Sequence, residues 1–461
     1  MFVVMAAVFV LGYVIIALEH PLKIDKAATA LFTGMVLWAL YMFGAESILP
    51  NSPAFAEYLH ANPDGNYINF IGHHEIYEHL AEISTILFFL LGAMTIVEMV
   101  DTHEGFKIIT DKIKTTNRIK LMWILSFLTF FMSAALDNLT TTIVMVALLR
   151  KLIDKQQDRW FFASMVILAA NAGGAWSPIG DVTTIMLWIG GQVTTVNIIK
   201  NVFLPSLACL VVPLLIVSFF YPRGTLERPA LSTKQQLSNE SITDFERKLM
   251  LIMGISGLLF VPVFKTLTHL PPYIGMLFSL SVIWITTEIM HRRRAKGMRG
   301  QLVVSRVLKK VDTPTVLFFL GILTAVSALQ SAGHLDMLAR KLDTINLGDM
   351  NKVYFIDTVI GILSAIVDNV PLVAGAMGMY DIAPAHATGY AYFFIVDGHF
   401  WQYLAYTAGT GGSMLIIGSA AGVAAMGMEN IDFIWYLKRI SLLAVAGYFA
   451  GAFIFYFMFA L

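Results

Sequence analysis

The chain has 461 residues, 57% of them hydrophobic and only 13% charged, with a mean hydropathy of +0.72 and a formal net charge of +0. Soluble domains carry roughly 25% charged residues. Here apolar runs of about 18 residues or more recur, which excludes a soluble fold and reads as an all-α polytopic membrane protein. The runs are continuous rather than alternating, which excludes a transmembrane β-barrel. Balanced charge offers no footprint for a nucleic-acid partner.

In chain order, apolar runs occupy residues 2–18, 27–45 and 82–100. The first has no basic residue before it and Lys23 and Lys26 after it, the reverse of the charge order of a cleaved signal peptide. A stretch from 121 to 149 is interrupted at Asp137-Asn138. Residues 160–190 are interrupted by Asn171-Ala172-Gly173-Gly174 and by Ser177-Pro178-Ile179-Gly180-Asp181, and a span at 202–220 follows. Residues 222–248 contain Pro222, Gly224, Pro229, several Ser and Thr, and both charge signs, the composition of a linker. Runs at 249–264, 273–290 and 314–330 come next, then interrupted stretches at 353–380 and 390–425 and a last span at 436–458. The lone Cys209 sits in an apolar run, forms no internal disulfide and packs as a small apolar residue.

The two halves repeat. Thr85-Ile86-Leu87-Phe88-Phe89-Leu90 matches Thr315-Val316-Leu317-Phe318-Phe319-Leu320, 230 positions later. Ser133-Ala134-x-x-Asp137-Asn138 matches Ser364-Ala365-x-x-Asp368-Asn369, 231 positions later. Gly173-Gly174 with Gly180 matches Gly411-Gly412 with Gly418, 238 positions later. Matches in one order at a nearly constant offset divide the chain into a first membrane repeat, 1–221, a linker, 222–248, and a second repeat, 249–461.

Basic residues orient the spans. Segment 46–81 has no Lys or Arg and is placed outside. Lys107, Lys112, Lys114, Arg118 and Lys120 precede the 121–149 stretch, and Arg150, Lys151, Lys155 and Arg159 follow it, so both of its ends are cytoplasmic. It therefore reads as a re-entrant helical hairpin with Asp137-Asn138 at its tip, each arm about 15 residues and ~22 Å long, too short to cross comfortably. The linker and the segment from His291-Arg292-Arg293-Arg294 to Lys309-Lys310 are placed inside as well. Five crossings per half then make the repeats inverted, and the hairpin at 353–380 enters from outside. Arg340, Lys341 and Lys352 near its start run against the positive-inside tendency.

A carboxylate at membrane depth costs about 3 kcal/mol or more, so an intramembrane acid is a functional candidate by default. Asp137, Asn138, Asp368 and Asn369 are the leading candidates for ion binding and proton carriage. Thr140, Thr141, Asn171, Ser177, Asp181, Thr410 and Ser413 are second-rank. Unwound backbone at the Gly-rich breaks frees carbonyls that lipid cannot satisfy, which suits a buried or watered site. The donors are all oxygens, with no Cys pair or ordered His cluster, and so fit a hard cation such as Na⁺ or Li⁺. Desolvated carboxylates also exchange protons near neutral pH, so Na⁺ and H⁺ compete for the same oxygens.

Structural alternatives stand beside these. The glycines also suit close helix packing, and Asp181 also suits an N-cap for a helix resuming at Val182. Glu82, Glu98, Asp101 and Asp357 lie near predicted span ends and read as interfacial. His73, His74, His79, Glu75 and Glu78 read as a solvated outer segment, and His399 near Asp397 as interfacial. No nucleophile–base pair or zinc motif stands out, so no enzyme activity and no cofactor are expected.

The Ser-Ala-x-x-Asp-Asn tips, Ala-Asn-Ala-Gly-Gly-Ala-Trp-Ser-Pro-Ile-Gly-Asp at 170–181 and Gly-Thr-Gly-Gly-Ser-Met-Leu-Ile-Ile-Gly-Ser at 409–419 resemble the NhaD-type Na⁺/H⁺ antiporters. That family lies in the ion transporter superfamily with divalent-anion/sodium symporters, citrate carriers and arsenite permeases. The resemblance covers nearly the whole chain. It implies two inverted repeats, a homodimer in the plasma membrane (the inner membrane of a Gram-negative cell), scaffold spans at the interface and a moving transport domain. The dicarboxylate branch carries Ser-Asn-Thr at its tips. An Asp beside each Asn here repels a carboxylate and attracts a cation, and Val370-Pro371 in place of Leu139-Thr140 leaves the two tips unequal. The expected function is export of cytoplasmic Na⁺, or Li⁺, against entry of H⁺ by alternating access. A sodium-coupled carboxylate or oxyanion symporter is the alternative, and an ion-binding channel or sensor a third reading.

Overall fold

Polar residues standing immediately before apolar residues set where several helices begin. The side chains of Asp25, Asn117, Thr243, Asp312 and Asp432 each accept a hydrogen bond from a first-turn backbone N–H. At Thr243 the bond is reciprocated by Glu246, completing a capping box. The computed structural model describes residues 1–110, 112–220, 224–229, 242–292 and 304–460. Most of the predicted linker, and residues 293–303 of the second basic segment, lie outside the described residues.

The first helices are α1 (Phe2–Ala17), α2 (Lys26–Ile48), α3 (Pro53–Ala61) and α4 (Ile76–Thr102), the last entered through a π-helical turn over Phe70–Glu75. After them come α5 (Arg118–Leu136) and α6 (Asn138–Leu152), separated by Asp137 alone, then α7 (Gln156–Ala175), the short α8 (Val182–Ile189) and α9 (Thr195–Phe220). The chain continues through α10 (Asp244–Thr268), α11 (Pro272–His291), α12 (Thr313–Ser331) and α13 (His334–Asp343). It then forms α14 (Asp349–Leu363), α15 (Asn369–Met379), α16 (His399–Gly411), α17 (Ala420–Glu429), α18 (Phe433–Arg439) and α19 (Ser441–Ala460). Among the described residues, 8 helices are long and apolar enough to cross a membrane, as in an integral membrane protein.

Three local expectations change. The arms of the first predicted hairpin are unequal, because the Asn117 cap starts α5 at Arg118. α5 has 19 residues and α6 has 15, so α5 is long enough to cross on its own. The outer His- and Glu-rich segment is helical, not loop: Glu57, His73, His74, Glu75, Glu78 and His79 line a cavity of about 690 Å³. Glu82 and Asp101 are exposed and Glu98 is half-buried, but Asp357 is fully buried on α14.

The helices gather into two compact units, each drawing on both halves of the sequence. One comprises Met1–Phe88, Asp312–Ile356 and Val370–Val396. In it α2 packs along α12, with Trp38 Nε1 donating to the Thr324 carbonyl at 3.0 Å and Tyr41 donating to Glu75 at 2.9 Å. Phe2 of α1 stacks on His334 at 3.6 Å between ring centroids.

The other unit comprises Phe89–Val311, Asp357–Asn369 and Asp397–Leu461. Here α7 is a buried central helix, packed by α5, α6, α9, α16 and α17, and every residue from Phe161 to Ala175 is buried. Glu429 at the end of α17 accepts from Arg150 Nε at 2.6 Å and from Arg159 Nε at 2.9 Å, while its carbonyl accepts from Trp160 Nε1 at 2.9 Å. One carboxylate thus fixes the ends of α6, α7 and α17 together. Residues 224–229 pair back onto the start of α5 and the end of α6, through Leu226 N–H to the Thr116 carbonyl at 2.8 Å and Asp154 N–H to that of Glu227 at 3.0 Å.

Two helix crossings need glycine. A Cβ on Gly173 of α7 would overlap the Phe130 carbonyl of α5, and one on Gly411 of α16 would overlap the Gly361 carbonyl of α14. These positions correspond in the sequence repeat. Gly411→Ala is expected to destabilise the fold by about 1–3 kcal/mol through overpacking, seen as a lower Tm of the purified protein; an unchanged Tm would show that the crossing has slack.

Candidate functional site

A helix interrupted inside an apolar environment must find partners for its freed polar groups. Four interruptions meet this demand in the unit that contains α7. At the first, the chain between α5 and α6 turns through Asp137 with φ 110° and ψ 159°. This region is almost restricted to glycine, and holding another residue there costs on the order of 1–3 kcal/mol. The Asp137 carboxylate caps α6: Oδ1 accepts from the Thr140 N–H and Oδ2 from the Thr140 hydroxyl, both at 2.7 Å.

The second interruption, between α7 and α8, places Asp181 as the N-cap of α8, in a capping box with Thr184. The structural alternative expected for Asp181 therefore holds, and a second role accompanies it. Asp181 is 1% exposed, and its Oδ2 accepts from Asn138 Nδ2 at 2.8 Å. Asn369 Nδ2 donates to the same carboxylate, at 3.4 Å to Oδ1 and 3.3 Å to Oδ2. Asn369 opens α15 at the third interruption, directly after Asp368. Asp137 and Asp368 each stand one position before the amide that holds Asp181.

The fourth interruption, between α16 and α17, supplies hydroxyls. Asn171 of α7 accepts from Asn138 Nδ2 at 3.1 Å, and its own Nδ2 donates to Ser413 Oγ and Ser419 Oγ, each at 2.9 Å. Ser419 in turn caps α17. One buried network thus runs from Asn369 through Asp181, Asn138 and Asn171 to Ser413 and Ser419.

Matching contacts hold the two halves of this arrangement. Ser133 donates to the Ala170 carbonyl at 2.6 Å, and Ser364, its repeat counterpart, donates to the Ala408 carbonyl at 3.0 Å. Ala170 and Ala408 are themselves 238 positions apart, the offset of the glycine motifs. Asp181 and Ser419 cap equivalent helices, so the repeat carries an acid in one half and a hydroxyl in the other.

Not every candidate joins the network. Thr140 is committed to Asp137, Ser177 donates to the Ala134 carbonyl at 2.5 Å, and Thr410 donates back to the Tyr406 carbonyl at 2.7 Å. Thr141 is fully buried with its hydroxyl unpartnered among the described residues. Sequence reasoning ranked Asp181 below the tip residues, whereas it is the acceptor on which both tip amides converge. The 238-residue offset pairs Ser419 with Asp181, and Ser419 joins the network although it is not among the ranked candidates.

The donors in contact are carboxylate, amide and hydroxyl oxygens. Among the described residues, Asp181 and Asn171 accept from side-chain amides and a backbone N–H, Asn171 donates to two hydroxyls, and none of these bonds involves Lys or Arg. Such a set fits a small hard cation and offers no counter-charge to an anion.

Comparison with known proteins places the whole chain. A family model described as "Citrate transporter" (CitMHS) matches residues 3–396. "Sodium/proton antiporter 1" of Arabidopsis thaliana is 46% identical over 97% of this chain and 71% of its own length, and "Sodium/proton antiporter 2" of the same plant is 43% identical over 97% of each. "Na(+)/H(+) antiporter NhaD" of Vibrio cholerae is 28% identical over 94% of this chain and 86% of its own length. With these relatives and its 8 apolar helices, the protein is an integral membrane transporter of the plasma or inner membrane. The chain belongs to the NhaD-type Na⁺/H⁺ antiporter family.

Proposed function

We propose that the protein exports cytoplasmic Na⁺, and Li⁺ through the same donors, in exchange for external H⁺ by alternating access. The observation that carries this reading is the convergence of Asn138 and Asn369, one from each helix tip, on the buried carboxylate of Asp181. Each amide commits its NH₂ to Asp181, which leaves its Oδ1 for a cation. Asp137 and Asp368, the residues just before these amides, are the carriers that hold either Na⁺ or a proton. Thr141, Ser413 and backbone carbonyls at the breaks complete the donor set. A tip acid that is either sodium-bound or protonated lets the carrier reorient without a bare charge in a low-dielectric path.

The recurrence of the serine latches and glycine crossings supports reading 1–221 and 249–461 as inverted repeats, with hairpins re-entering from opposite faces. On that reading the transporter works as a lipid-embedded homodimer whose hairpins and broken helices move together. The relatives' names support Na⁺/H⁺ exchange. The "Citrate transporter" description of the matching family model favours a second reading, sodium-coupled carboxylate uptake. The absence of Lys or Arg from the bonds of the amide–carboxylate network weighs against it.

In proteoliposomes with an imposed proton gradient, added Na⁺ is expected to dissipate the gradient, while Na⁺-driven uptake of labelled citrate stays at background; the reverse pattern would establish the symporter reading. Asp137→Asn and Asp181→Asn are each expected to lower exchange by tenfold or more. Wild-type rates in Asp137→Asn would remove it as a carrier. The pH dependence has a fixed sign. A protonated acid excludes Na⁺ and raising pH removes the proton, so the apparent KM for Na⁺ falls as pH rises, by up to about tenfold per unit for one-proton competition. A KM independent of pH would rule out shared oxygens.

A further inference from the structure

Asp357 is an acid that neither the tips nor the amide network uses. It sits on α14, 11 positions before Asp368, and is 0% exposed. Neither carboxylate oxygen has a hydrogen-bond partner among the described residues. Among the described residues, the titratable side chains that interact with it electrostatically include Tyr403 of α16 and Tyr448 of α19; Tyr354 lies three residues back on its own helix. Neither Tyr403 nor Tyr448 donates to it. The Tyr403 hydroxyl pairs with that of Thr358 at 3.0 Å, and the Tyr448 hydroxyl donates to the Thr358 carbonyl at 3.0 Å. No described Lys, Arg or His is paired with it.

A bare carboxylate in such a place, with neither a counter-ion nor a donor, is untenable: transferring an isolated ion into a low-dielectric interior costs tens of kcal/mol in the Born limit. The same carboxyl as a neutral acid needs only accommodation for one O–H. Burial without partners therefore selects the protonated form. The surroundings are also poor for a metal ion, because the hydroxyls of Tyr403 and Tyr448 are committed to Thr358. The 231-residue offset pairs Asp357 with Ser126, so this acid exists in one half only. The arrangement is the reverse of Asp181 and Ser419, where the first half holds the acid.

We propose that Asp357 is a separate proton-binding site of the carrier, loaded and unloaded during the transport cycle without competition from Na⁺. A proton from the external side binds the carboxylate. It rides inward as the neutral acid, then leaves to the cytoplasmic side when that face opens and water reaches the group. This rests on the exchange reading above and adds one proton per cycle to those displaced at the tips.

The test is the H⁺:Na⁺ ratio, read from the membrane potential at which flux reverses in proteoliposomes. Asp357→Asn, which mimics the protonated acid and cannot titrate, is expected to lower the ratio by one proton, and Asp357→Glu to keep it. A wild-type ratio in Asp357→Asn overturns the proposal while leaving exchange intact, whereas absence of Na⁺-dependent proton flux in wild type overturns the exchange reading itself. Should Asp357→Asn fail to fold, infrared difference spectra across pH decide. A protonated-carboxyl band that shifts in Asp357→Glu supports the site, and bands unaltered by that change overturn it.

Discussion

Everything in the site hangs on one buried carboxylate satisfied by two amides. Asp181 has its charge surrounded by an N–H from its own helix, Asn138 from one break and Asn369 from another. In a low-dielectric interior such bonds strengthen when complete and penalise heavily when one is missing. Asn138 and Asn369 therefore cannot retreat from Asp181 without a replacement donor or cation, and the positions of both tips are slaved to what that carboxylate holds. Asn171 extends the constraint to Ser413 and Ser419, so the fourth break is tied in through the same amide chain.

The supporting scaffold is arranged to keep these breaks close. α7 is buried along most of its length and touches helices from both halves of the chain. The Glu429 clamp gathers the termini of α6, α7 and α17, pairing one carboxylate with the guanidinium groups of Arg150 and Arg159. Glycine at 173 and 411 lets backbone meet backbone where the breaks require it. The result is a set of half-helices held by backbone approach and side-chain latches rather than by long uninterrupted spans.

Much of this was readable in the sequence, because the features that matter are expensive in an apolar setting. Asp137-Asn138 and Asp368-Asn369 stood out against their flanks, and the offsets of 231 and 238 linked each to its counterpart. The helix breaks fall at the residues flagged by Gly, Pro, Asp and Ser. What a one-dimensional pattern does not carry is convergence. Nothing in the spacing says that Asn138 and Asn369 meet on Asp181, since that requires folding three distant segments together. Asp357 also reads differently in the sequence: its place near a predicted span end suggested an interface, but α14 begins at Asp349 and puts Asp357 in the middle of the helix, fully buried. The outer His-rich segment likewise lacks apolar periodicity, yet it winds into a π turn because it continues directly into α4.

The backbone at Asp137 has a further implication. Local geometry there suits glycine, while the capping contacts suit an acid, and the chain has kept the acid. Peptide rotation at this one residue would relieve the unfavourable φ, uncap α6 and swing the carboxylate away from Thr140 in a single movement. Side-chain occupancy and main-chain conformation at the tip are therefore not independent variables. The same carboxylate that caps α6 holds its own backbone in this conformation.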